Sequence, residues 1–228
     1  MNPSNPKSLT TEFFEQLYQE NPDPWQFASS EYEAQKYAAT LNALPRNLYN
    51  SGFEIGGSIG ILTEKLARRC QSLLSIDVSE IAQSQAIDRC RHLNNIKFEL
   101  MSVPQSFPTE SFDLIVLSEV GYYWSWEDLR TAQSLILDRL RPQGHLLLVH
   151  WTADSGILPL TGNQVHDAFL ELVTVGGLVQ SGVEVGSVQA QSAGNTNADR
   201  LTQQQESQLK RIKSITAEKY RLDLFEKI

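Results

Sequence analysis

The sequence has little of what marks several large classes of protein. Its two cysteines, Cys70 and Cys90, show no CxxC spacing, which argues against a disulfide framework or a structural zinc site and favours a reducing, cytoplasmic setting. No apolar run approaches the roughly 20 residues of a membrane span, and the first residues lack the apolar stretch of a secretory signal. Basic residues are scarce, since 19 Lys and Arg face 27 Asp and Glu and the formal charge is −8. We therefore expect neither nucleic acid nor a membrane as a partner.

What the chain does contain is an ordinary globular composition, with 41% apolar and 20% charged residues among its 228. A chain of this length and composition is expected to form a single domain with one sizeable core. The domain, 1–228, is expected to have four parts. They are an N-terminal helical cap at 1–46, a core that carries the binding motifs at 50–152, a flexible insertion at 176–208 and the last strands at 209–228.

Short apolar segments alternate with helical stretches through the core. Because the apolar runs are nearly continuous, they are typical of parallel strands that helices cover on both faces. The pattern predicts an α/β fold with a doubly wound, mostly parallel sheet. Strands are expected near 52–55, 73–76, 96–100, 112–118 and 145–151, and helices near 10–20, 30–44, 60–70, 79–92, 126–140 and 163–175.

The sequence after the core is less regular. Between 176 and 208 there are seven Gln, four charged residues and no Pro, so little can be buried, and we expect a flexible insertion. The segment 209–217 fits either a strand or a helix, and we favour the strand. The segment 219–228 alternates apolar and polar residues, which predicts a half-exposed strand.

The most informative segment is a glycine-rich turn between the first strand and the next helix, Glu54-Ile55-Gly56-Gly57-Ser58-Ile59-Gly60. Small residues there let a ligand approach the backbone, and the helix N-terminus offers amide donors. Seventeen residues after Gly60 the second strand ends at Asp77, whose carboxylate can accept hydrogen bonds from both hydroxyls of a ribose. Together the turn and the acid predict a nucleoside-containing ligand.

The spacing of the turn decides between nucleoside ligands. A dinucleotide site needs G-x-G-x-x-G, and counting from Gly56 two of the three glycines are missing, which speaks against NAD. An acid two residues before the first glycine instead resembles motif I of the class I S-adenosylmethionine-dependent methyltransferases. In that family the turn cradles the methionine part of the cofactor, and the acid helps to hold its amino group.

The resemblance is to the NodS-like branch of that family and covers most of residues 23–151. It rests on Asp23-Pro24-Trp25, Tyr32-Glu33, Lys36-Tyr37 and Leu44-Pro45-Arg46 before the turn, and on FDLIVLSEVGYYW and GHLLLVHW after it. The nodulation N-methyltransferase that gives the branch its name methylates the free amino group of a partly deacetylated chitin oligosaccharide.

The resemblance implies a seven-stranded, Rossmann-like methyltransferase fold and transfer of a methyl group from S-adenosyl-L-methionine, which leaves S-adenosyl-L-homocysteine. The implied acceptor is a nitrogen of a small or sugar-like molecule, such as an amine or an amino sugar. Two alternatives stay open: O-methylation of a small molecule, and a nucleoside-binding module without turnover.

The chain departs from the branch in three places. Gly57 stands where the branch commonly has a cysteine after the first glycine. Met101-Ser102 stands where an acid usually follows the third strand to hold the adenine amine, so Ser102 offers only a hydroxyl or a backbone contact. The insertion at 176–208 is the third departure.

The resemblance implies that residues of the cap and of the strand ends form the cofactor site. Trp25 is expected to cover the site and Lys36 to meet the cofactor carboxylate, although both also fit ordinary packing of a helix. The remaining candidates are Glu54, Gly56, Gly57, Ser58, Gly60, Asp77, Val78, Met101, Ser102, Ser118 and Glu119.

Five residues are candidates for the chemistry, because reacting groups in doubly wound sheets lie beyond the carboxyl ends of the strands. Glu119 could take a proton from an amine or orient it, or bond a neighbouring loop. Tyr122 and Tyr123 could line the acceptor site and stabilise positive charge, or simply pack. His150 stands where a general base is expected and His166 could approach the same crevice, or they are structural. Transfer from a sulfonium requires positioning and a deprotonated acceptor, and no metal.

Overall fold

The computed structural model describes residues 6–173 and 208–228, and these begin with the two helices of the cap, α1 (Thr11–Glu20) and α2 (Glu31–Ala43). Each helix starts after a hydroxyl that caps it, since Thr10 accepts from the N–H of Phe13 and Ser30 accepts from the N–H of Glu33. α2 ends before Pro45, because the residue before a proline favours extended backbone. Both helices of the cap are confirmed.

Within the described residues the chain continues with seven strands, four further helices and one short 3₁₀ turn. In chain order they are β1 (Tyr49–Ile55), α3 (Ile61–Ala67), β2 (Cys70–Asp77), α4 (Glu80–Cys90), β3 (Ile96–Leu100), β4 (Phe112–Ser118), the 3₁₀ turn (Gly121–Tyr123), α5 (Trp126–Arg139), β5 (Leu140–Trp151), α6 (Gly162–Leu170), β6 (Leu209–Thr216) and β7 (Tyr220–Lys227).

The strands form one sheet in the order β3-β2-β1-β4-β5-β7-β6. β1 pairs in parallel with both β2 and β4, so the strand order reverses at β1. β7 is antiparallel and lies between β5 and β6, two strands that precede it in the chain. The predicted doubly wound, mostly parallel, seven-stranded sheet is confirmed.

Both faces of the sheet are covered, which explains the continuous apolar runs of the central strands. In β4, Leu114 and Val116 pack on the face covered by α2 and α3, whereas Ile115 and Leu117 pack on the face covered by α5 and α6. Each of these four side chains is at most 1% exposed. The carboxyl ends of the strands are therefore held on a rigid platform.

The ambiguous segment 209–217 is a strand, as favoured. Leu209, Ile212 and Ile215 recur every three residues because the register of β6 against β7 shifts between Arg211 and Lys213. Leu209 consequently packs with one face of the sheet and Ile215 with the other. A register shift thus imitates the helical spacing that made the sequence ambiguous.

β7 differs from the half-exposed strand that the sequence predicts. Leu222, Asp223, Leu224 and Phe225 are each at most 1% exposed, because β7 lies inside the sheet. Asp223 made the pattern alternate, yet it is buried with His166 and Arg221 as hydrogen-bonding partners. A buried, paired carboxylate therefore looked like a solvated one in the sequence.

Three remaining expectations concern the insertion, the membrane and the cysteines. The predicted insertion at 176–208 lies outside the described residues except for Gln208, and α6 is shorter than the predicted 163–175. No helix in the described part of the chain has the length and apolarity to cross a bilayer. Cys70 and Cys90 are both buried, free thiols.

Candidate functional site

A cavity of about 330 Å³ lies at the carboxyl ends of β1 to β4, where the strand order reverses. In doubly wound sheets ligands bind in this crevice. Residues before and within α1, among them Leu9, Phe14 and Tyr18, complete the wall. The residues predicted from the sequence that line the cavity are Trp25, Gly56, Gly57, Ser58, Asp77, Val78, Met101, Ser102, Ser118, Glu119 and Tyr123.

The glycine turn after β1 folds tightly against its neighbours. Gly56 has a φ of +82°, and a Cβ there would lie 2.2 Å from Cγ2 of Val120. The N–H groups of Gly56 and Gly57 both donate to the carbonyl of Ile76 at 2.9 Å. A Cβ at Gly57 would lie 2.2 Å from the hydroxyl of Ser75. Glycine in place of the cysteine common in the branch therefore leaves room for Ser75.

Gly60 lies behind the turn and is not on the cavity wall. Its φ is +83°, and a Cβ there would come within 2.8 Å of Cα of Ala86 in α4. The residue therefore allows α3 and α4 to pack closely. The predicted contact between Gly60 and a cofactor is corrected to this packing role.

Glu54 also lies beneath the turn and does not line the cavity. It is 1% exposed, and its Oε2 accepts hydrogen bonds from the hydroxyls of Thr63 at 2.6 Å and Ser75 at 2.7 Å. Burial raises the pKa of this carboxyl to about 7, and the two hydroxyl donors limit the rise. Glu54 thus braces the turn from below through Oε2, and its contact with an amino group stays a prediction.

Asp77 ends β2 at the cavity wall, where the sequence predicts it. Its Oδ2 accepts from the N–H of Ser58 at 2.8 Å and its Oδ1 from the N–H of Ser79 at 2.9 Å. Burial raises the pKa of the carboxyl, and these backbone donors oppose the rise. Since a carboxylate has about four acceptor positions, Asp77 is held in place with capacity left for the hydroxyls of a ribose.

Aromatic residues of the cap form another part of the wall. Trp25 stacks on Phe27 with ring centroids 5.3 Å apart and meets Tyr18 edge-on at 5.7 Å. The hydroxyls of Tyr18 and Ser58 share a hydrogen bond, which ties α1 to the glycine turn. Trp25 therefore stands at the cavity in a position from which it could cover a ligand.

Lys36 lies outside the cavity wall in a buried cluster of charges. Its ammonium donates to Oε1 of Glu33 at 2.9 Å and to Oε1 of Glu119 at 2.5 Å, and its side chain is 2% exposed. Burial opposes the charge, but the carboxylates of Glu119 and Glu33 outweigh burial and raise the pKa of Lys36. Two of the three N–H donors of Lys36 are thus used by protein carboxylates, and its contact with a cofactor carboxylate stays a prediction.

Glu119, directly after β4, connects this charge cluster to the cavity. Its φ is 58°, in the left-handed region, and its side chain lines the cavity. Its Oε2 accepts from the hydroxyl of Tyr122 at 2.6 Å and from the N–H of Trp151 at 2.9 Å. Three donors therefore fix the carboxylate, and left-handed backbone at a residue other than glycine is a form of strain concentrated at functional sites.

The two tyrosines after Glu119 differ in position. Tyr123 lines the cavity, and its ring meets those of Phe14 at 5.0 Å and Tyr122 at 4.6 Å edge-on. Tyr122 does not line the cavity, and burial raises its pKa well above that of an ordinary tyrosine. Tyr123 is thus placed to contact an acceptor, whereas Tyr122 acts through its hydrogen bond to Glu119.

His150 is fully buried, and both of its ring nitrogens are engaged. Nε2 accepts from the N–H of Gly121 at 3.1 Å, which leaves the proton on Nδ1. Nδ1 then donates to Nε2 of His166 at 3.1 Å, and Nδ1 of His166 donates to Oδ2 of Asp223 at 2.7 Å. Burial lowers the pKa of His150 well below its ordinary value.

This chain of hydrogen bonds corrects the prediction that His150 is a general base. Neither ring nitrogen is free to take a proton from an acceptor, and His150 does not line the cavity. His166 is also 0% exposed and lies in the same chain, so it does not approach the cavity from the side. Both histidines support the 3₁₀ turn that carries the tyrosines.

Several residues of the cavity wall were not predicted from the sequence. They include three residues before α1, Ser8, Leu9 and Thr10, and two residues within it, Phe14 and Tyr18. The sequence indicates only that the two aromatic residues lie on the apolar face of a helix. Two further residues, Gln105 after β3 and Asp128 in the first turn of α5, belong to no motif.

The strand order, the glycine turn after β1, the acid at the end of β2 and the cavity across these strand ends together have the architecture of the class I S-adenosylmethionine-dependent methyltransferase fold. Comparison with known proteins identifies the family. The model of the family described as Nodulation protein S (NodS) matches residues 12–155, and the chain belongs to that family.

Two relatives show how far the similarity extends. Nodulation protein S of Sinorhizobium fredii (strain NBRC 101917 / NGR234) is 33% identical over 129 residues, which cover 55% of this chain and 59% of that protein. Nodulation protein S of Rhizobium tropici is 37% identical over 131 residues, which cover 55% of this chain and 53% of that protein. The chain thus spans between 53% and 59% of the length of these two relatives.

A solved structure shows the same fold over nearly the whole chain. The N-methyltransferase NodS from Bradyrhizobium japonicum WM9, crystallised with S-adenosyl-L-homocysteine, superimposes with a TM-score of 0.73 and covers 95% of this chain and 98% of that one. The two sequences are 23% identical, so this likeness concerns the fold.

Proposed function

We propose that the protein transfers a methyl group from S-adenosyl-L-methionine to a nitrogen of a small or sugar-like acceptor, such as an amine or an amino sugar. The observation that carries the proposal is Asp77 beside the glycine turn, on the wall of a cavity at the point where the strand order reverses. Membership of the NodS family supports it.

The residues of the cavity fit this cofactor. Asp77 has spare acceptor capacity for two ribose hydroxyls, the turn at Gly56 and Gly57 lets a ligand approach the backbone, and Met101 offers an apolar surface for a base. The chemistry supplied by the bound cofactor is a methyl group already activated on a sulfonium. The task of the protein is to hold the acceptor nitrogen in line with that methyl group and to exclude water.

A nitrogen acceptor is favoured by the charge at the cavity wall. Glu119 lines the cavity, and its carboxylate can attract a cation or the positive charge that develops on an attacking amine, whereas Glu33 and Lys36 lie behind it in the buried cluster. The rings of Tyr123 and Trp25 line the same cavity and can stabilise positive charge. We assign Glu119 to orienting the amine, because its oxygens are fixed by three donors.

The test begins with calorimetric titration of the purified protein with S-adenosyl-L-homocysteine, with NAD as the control. Labelled methyl donor is then offered with glucosamine and, as its matched partner, N-acetylglucosamine, together with small amines. We expect binding of the first ligand alone, and label on free amines but not on the acetylated sugar. Label on hydroxyl compounds only would establish O-methylation, and binding without any transfer would favour a nucleoside-binding module. Binding of neither ligand would overturn the proposal.

Asp77 gives a direct check on the cofactor site. Asp77→Ala removes the acceptor for the ribose hydroxyls and is expected to weaken binding of S-adenosyl-L-homocysteine by about tenfold to a hundredfold, since hydrogen bonds to a charged group contribute about 1.5–3 kcal/mol. Asp88→Asn, which changes an exposed carboxylate, is the control. An unchanged dissociation constant in Asp77→Ala would contradict the placement of the ribose.

We also propose that the protein works in the cytoplasm on small molecules and not on nucleic acid. Buried free thiols at Cys70 and Cys90 agree with a reducing compartment, and a formal charge of −8 disfavours polyanions. Fractionation of cells that express the tagged protein tests the compartment.

A further inference from the structure

The proposed function leaves one part of the ligand without a polar partner. The adenine carries an exocyclic amine, and β3 ends in Met101-Ser102, which offers no carboxylate. The glycine turn follows β1, Asp77 ends β2, and β3 is the next strand outward, so Met101 and Ser102 are the residues of the cavity wall that would lie beside a bound adenine.

Asp128 lies at this same end of the cavity. The hydroxyl of Ser102 donates to Oε1 of Gln105 at 3.2 Å, and Nε2 of Gln105 donates to Oδ1 of Asp128 at 3.1 Å. Ser102, Gln105 and Asp128 all line the cavity. Two hydrogen bonds therefore connect the end of β3 to the first turn of α5.

The carboxylate of Asp128 does not complete a capping box at the start of α5, although its position in the first turn suggests that role. Ser125 caps α5 and accepts from the N–H of Asp128 at 3.1 Å, and in a capping box Asp128 would accept from the N–H of Ser125 in return. That N–H instead donates to the hydroxyl of Ser8 at 2.7 Å, and the hydroxyl of Ser8 donates to Oδ2 of Asp128. The carboxylate is thus held at the cavity with a single side-chain donor on each oxygen.

We propose that Asp128 recognises the adenine by accepting a hydrogen bond from its exocyclic amine, and that Gln105 and Ser8 position the carboxylate. This inference rests on the proposed function, since it concerns the same cofactor. A carboxylate has about four acceptor positions, so two remain for the amine. The acid that the sequence lacks after β3 is thereby supplied by α5. A base with a carbonyl in place of the amine is rejected, because two acceptors would then face each other.

The test compares S-adenosyl-L-homocysteine with S-inosyl-L-homocysteine, in which a carbonyl replaces the exocyclic amine and the neighbouring N1 carries a proton. Calorimetry measures the dissociation constant of each with the wild type, Asp128→Asn and Glu127→Gln. Glu127 precedes Asp128 in the first turn of α5 and is exposed, so Glu127→Gln makes the same change of charge away from the cavity. The asparagine amide can donate to the carbonyl of the inosyl ligand, which the carboxylate cannot do.

We expect the wild type and Glu127→Gln to prefer the adenosyl ligand at least tenfold, and Asp128→Asn to lose at least tenfold of that preference. A preference in Asp128→Asn equal to that in Glu127→Gln would overturn the role of Asp128 while leaving the proposed function intact. Failure of the wild type to bind S-adenosyl-L-homocysteine would overturn both.

A second measurement needs no variant. The N6,N6-dimethyl derivative of S-adenosyl-L-homocysteine has no donor on the exocyclic nitrogen, and we expect the wild type to bind it at least tenfold more weakly. The 7-deaza derivative keeps the amine and is expected to bind like the parent ligand. Equal affinity for the dimethylated and the parent ligands would overturn the proposal.

Discussion

At the scale of single residues, the site depends on charged groups that hold one another in place beneath the cavity. Lys36 is the centre of this arrangement, because it neutralises Glu33 and orients Glu119 at once. The family resemblance placed Lys36 next to a cofactor carboxylate. The structure places its ammonium against Glu119, which lies 83 residues further along the chain.

Lys36→Met is therefore expected to destabilise the protein by about 3–5 kcal/mol, because it leaves two carboxylates buried without their cation. Urea unfolding measures the change in the free energy of unfolding. Arg91→Met breaks the exposed ion pair with Asp88 and serves as the matched control, with no measurable loss expected. A loss in Lys36→Met no larger than in the control would show that the cluster does not need its cation.

At the scale of elements, close packing decides what the glycines do. Gly60 begins α3 directly against Ala86 of α4, whereas Gly156 has a similar φ of +69° with nothing within 4 Å of a Cβ. An alanine at Gly156 would therefore meet backbone strain alone, whereas an alanine at Gly60 would meet both strain and steric overlap.

Gly60→Ala is expected to lower the free energy of unfolding by about 2–4 kcal/mol, since left-handed strain adds to a clash with the backbone of α4. Gly156→Ala carries only the strain and is expected to lose about 1–2 kcal/mol. Denaturant unfolding of both variants tests the difference. Equal losses would mean that α3 and α4 have room to separate.

The buried hydrogen-bond chain between β5, α6 and β7 predicts a dependence on pH. Burial lowers the pKa of His150 and of His166 in the folded protein, whereas the unfolded chain binds a proton near pH 6.5. The unfolded state thus binds more protons just below this pH, and the free energy of unfolding falls as pH decreases, by about 1.4 kcal/mol per pH unit for each histidine.

Urea unfolding between pH 5 and 8 tests this. His150→Gln is expected to reduce the slope of the free energy of unfolding against pH by the contribution of one histidine. His92→Gln, which removes an exposed imidazole, is the control with an unchanged slope. Glu54, whose raised pKa of about 7 acts in the opposite direction, is present in every variant and cancels from the comparison. An identical slope in wild type and His150→Gln would contradict the assignment.

The sequence predicted most elements because their signals are local. Hydroxyl caps such as Thr10 and Ser30, the apolar runs of the strands and the glycine turn are each contained in a few neighbouring residues. The error at β7 concerns a long-range partner, since Asp223 is buried against His166. The ambiguity at 209–217, where the favoured strand is confirmed, came from the register shift that moves Ile215 to the other face of the sheet. The same limit applies to the site. Asp77 could be predicted from the strand that it ends, whereas the position of Asp128 at the cavity is seen only in the folded chain.

At the scale of the whole molecule, the cavity joins the cap to the sheet. α1 is tied to the glycine turn through Tyr18 and Ser58, and the N–H of Leu9 donates to the carbonyl of Tyr123 at 2.9 Å. A ligand in the cavity therefore contacts residues that come together only when cap and sheet are both folded.

S-adenosyl-L-homocysteine at one hundred times its dissociation constant is accordingly expected to stabilise the folded protein by about 2.7 kcal/mol. For a chain of this size this corresponds to a rise in Tm of about 5–10 °C. Scanning calorimetry measures the rise, and NAD at the same concentration is expected to leave Tm unchanged. A ligand that binds without raising Tm would not distinguish the folded from the unfolded chain.

The place of β7 between β5 and β6 has a consequence for synthesis on the ribosome. β6 leaves the ribosome before β7, so it cannot join the sheet through β7 until Tyr220–Lys227 follows. Until then one edge of β5 is open, and open edges of apolar strands invite pairing with other chains. The nascent protein thus passes through a stage in which six strands are made but only β1 to β5 can pair in the sheet, and its yield in a cell depends on how quickly β7 follows and on chaperones that shield the open edge of β5.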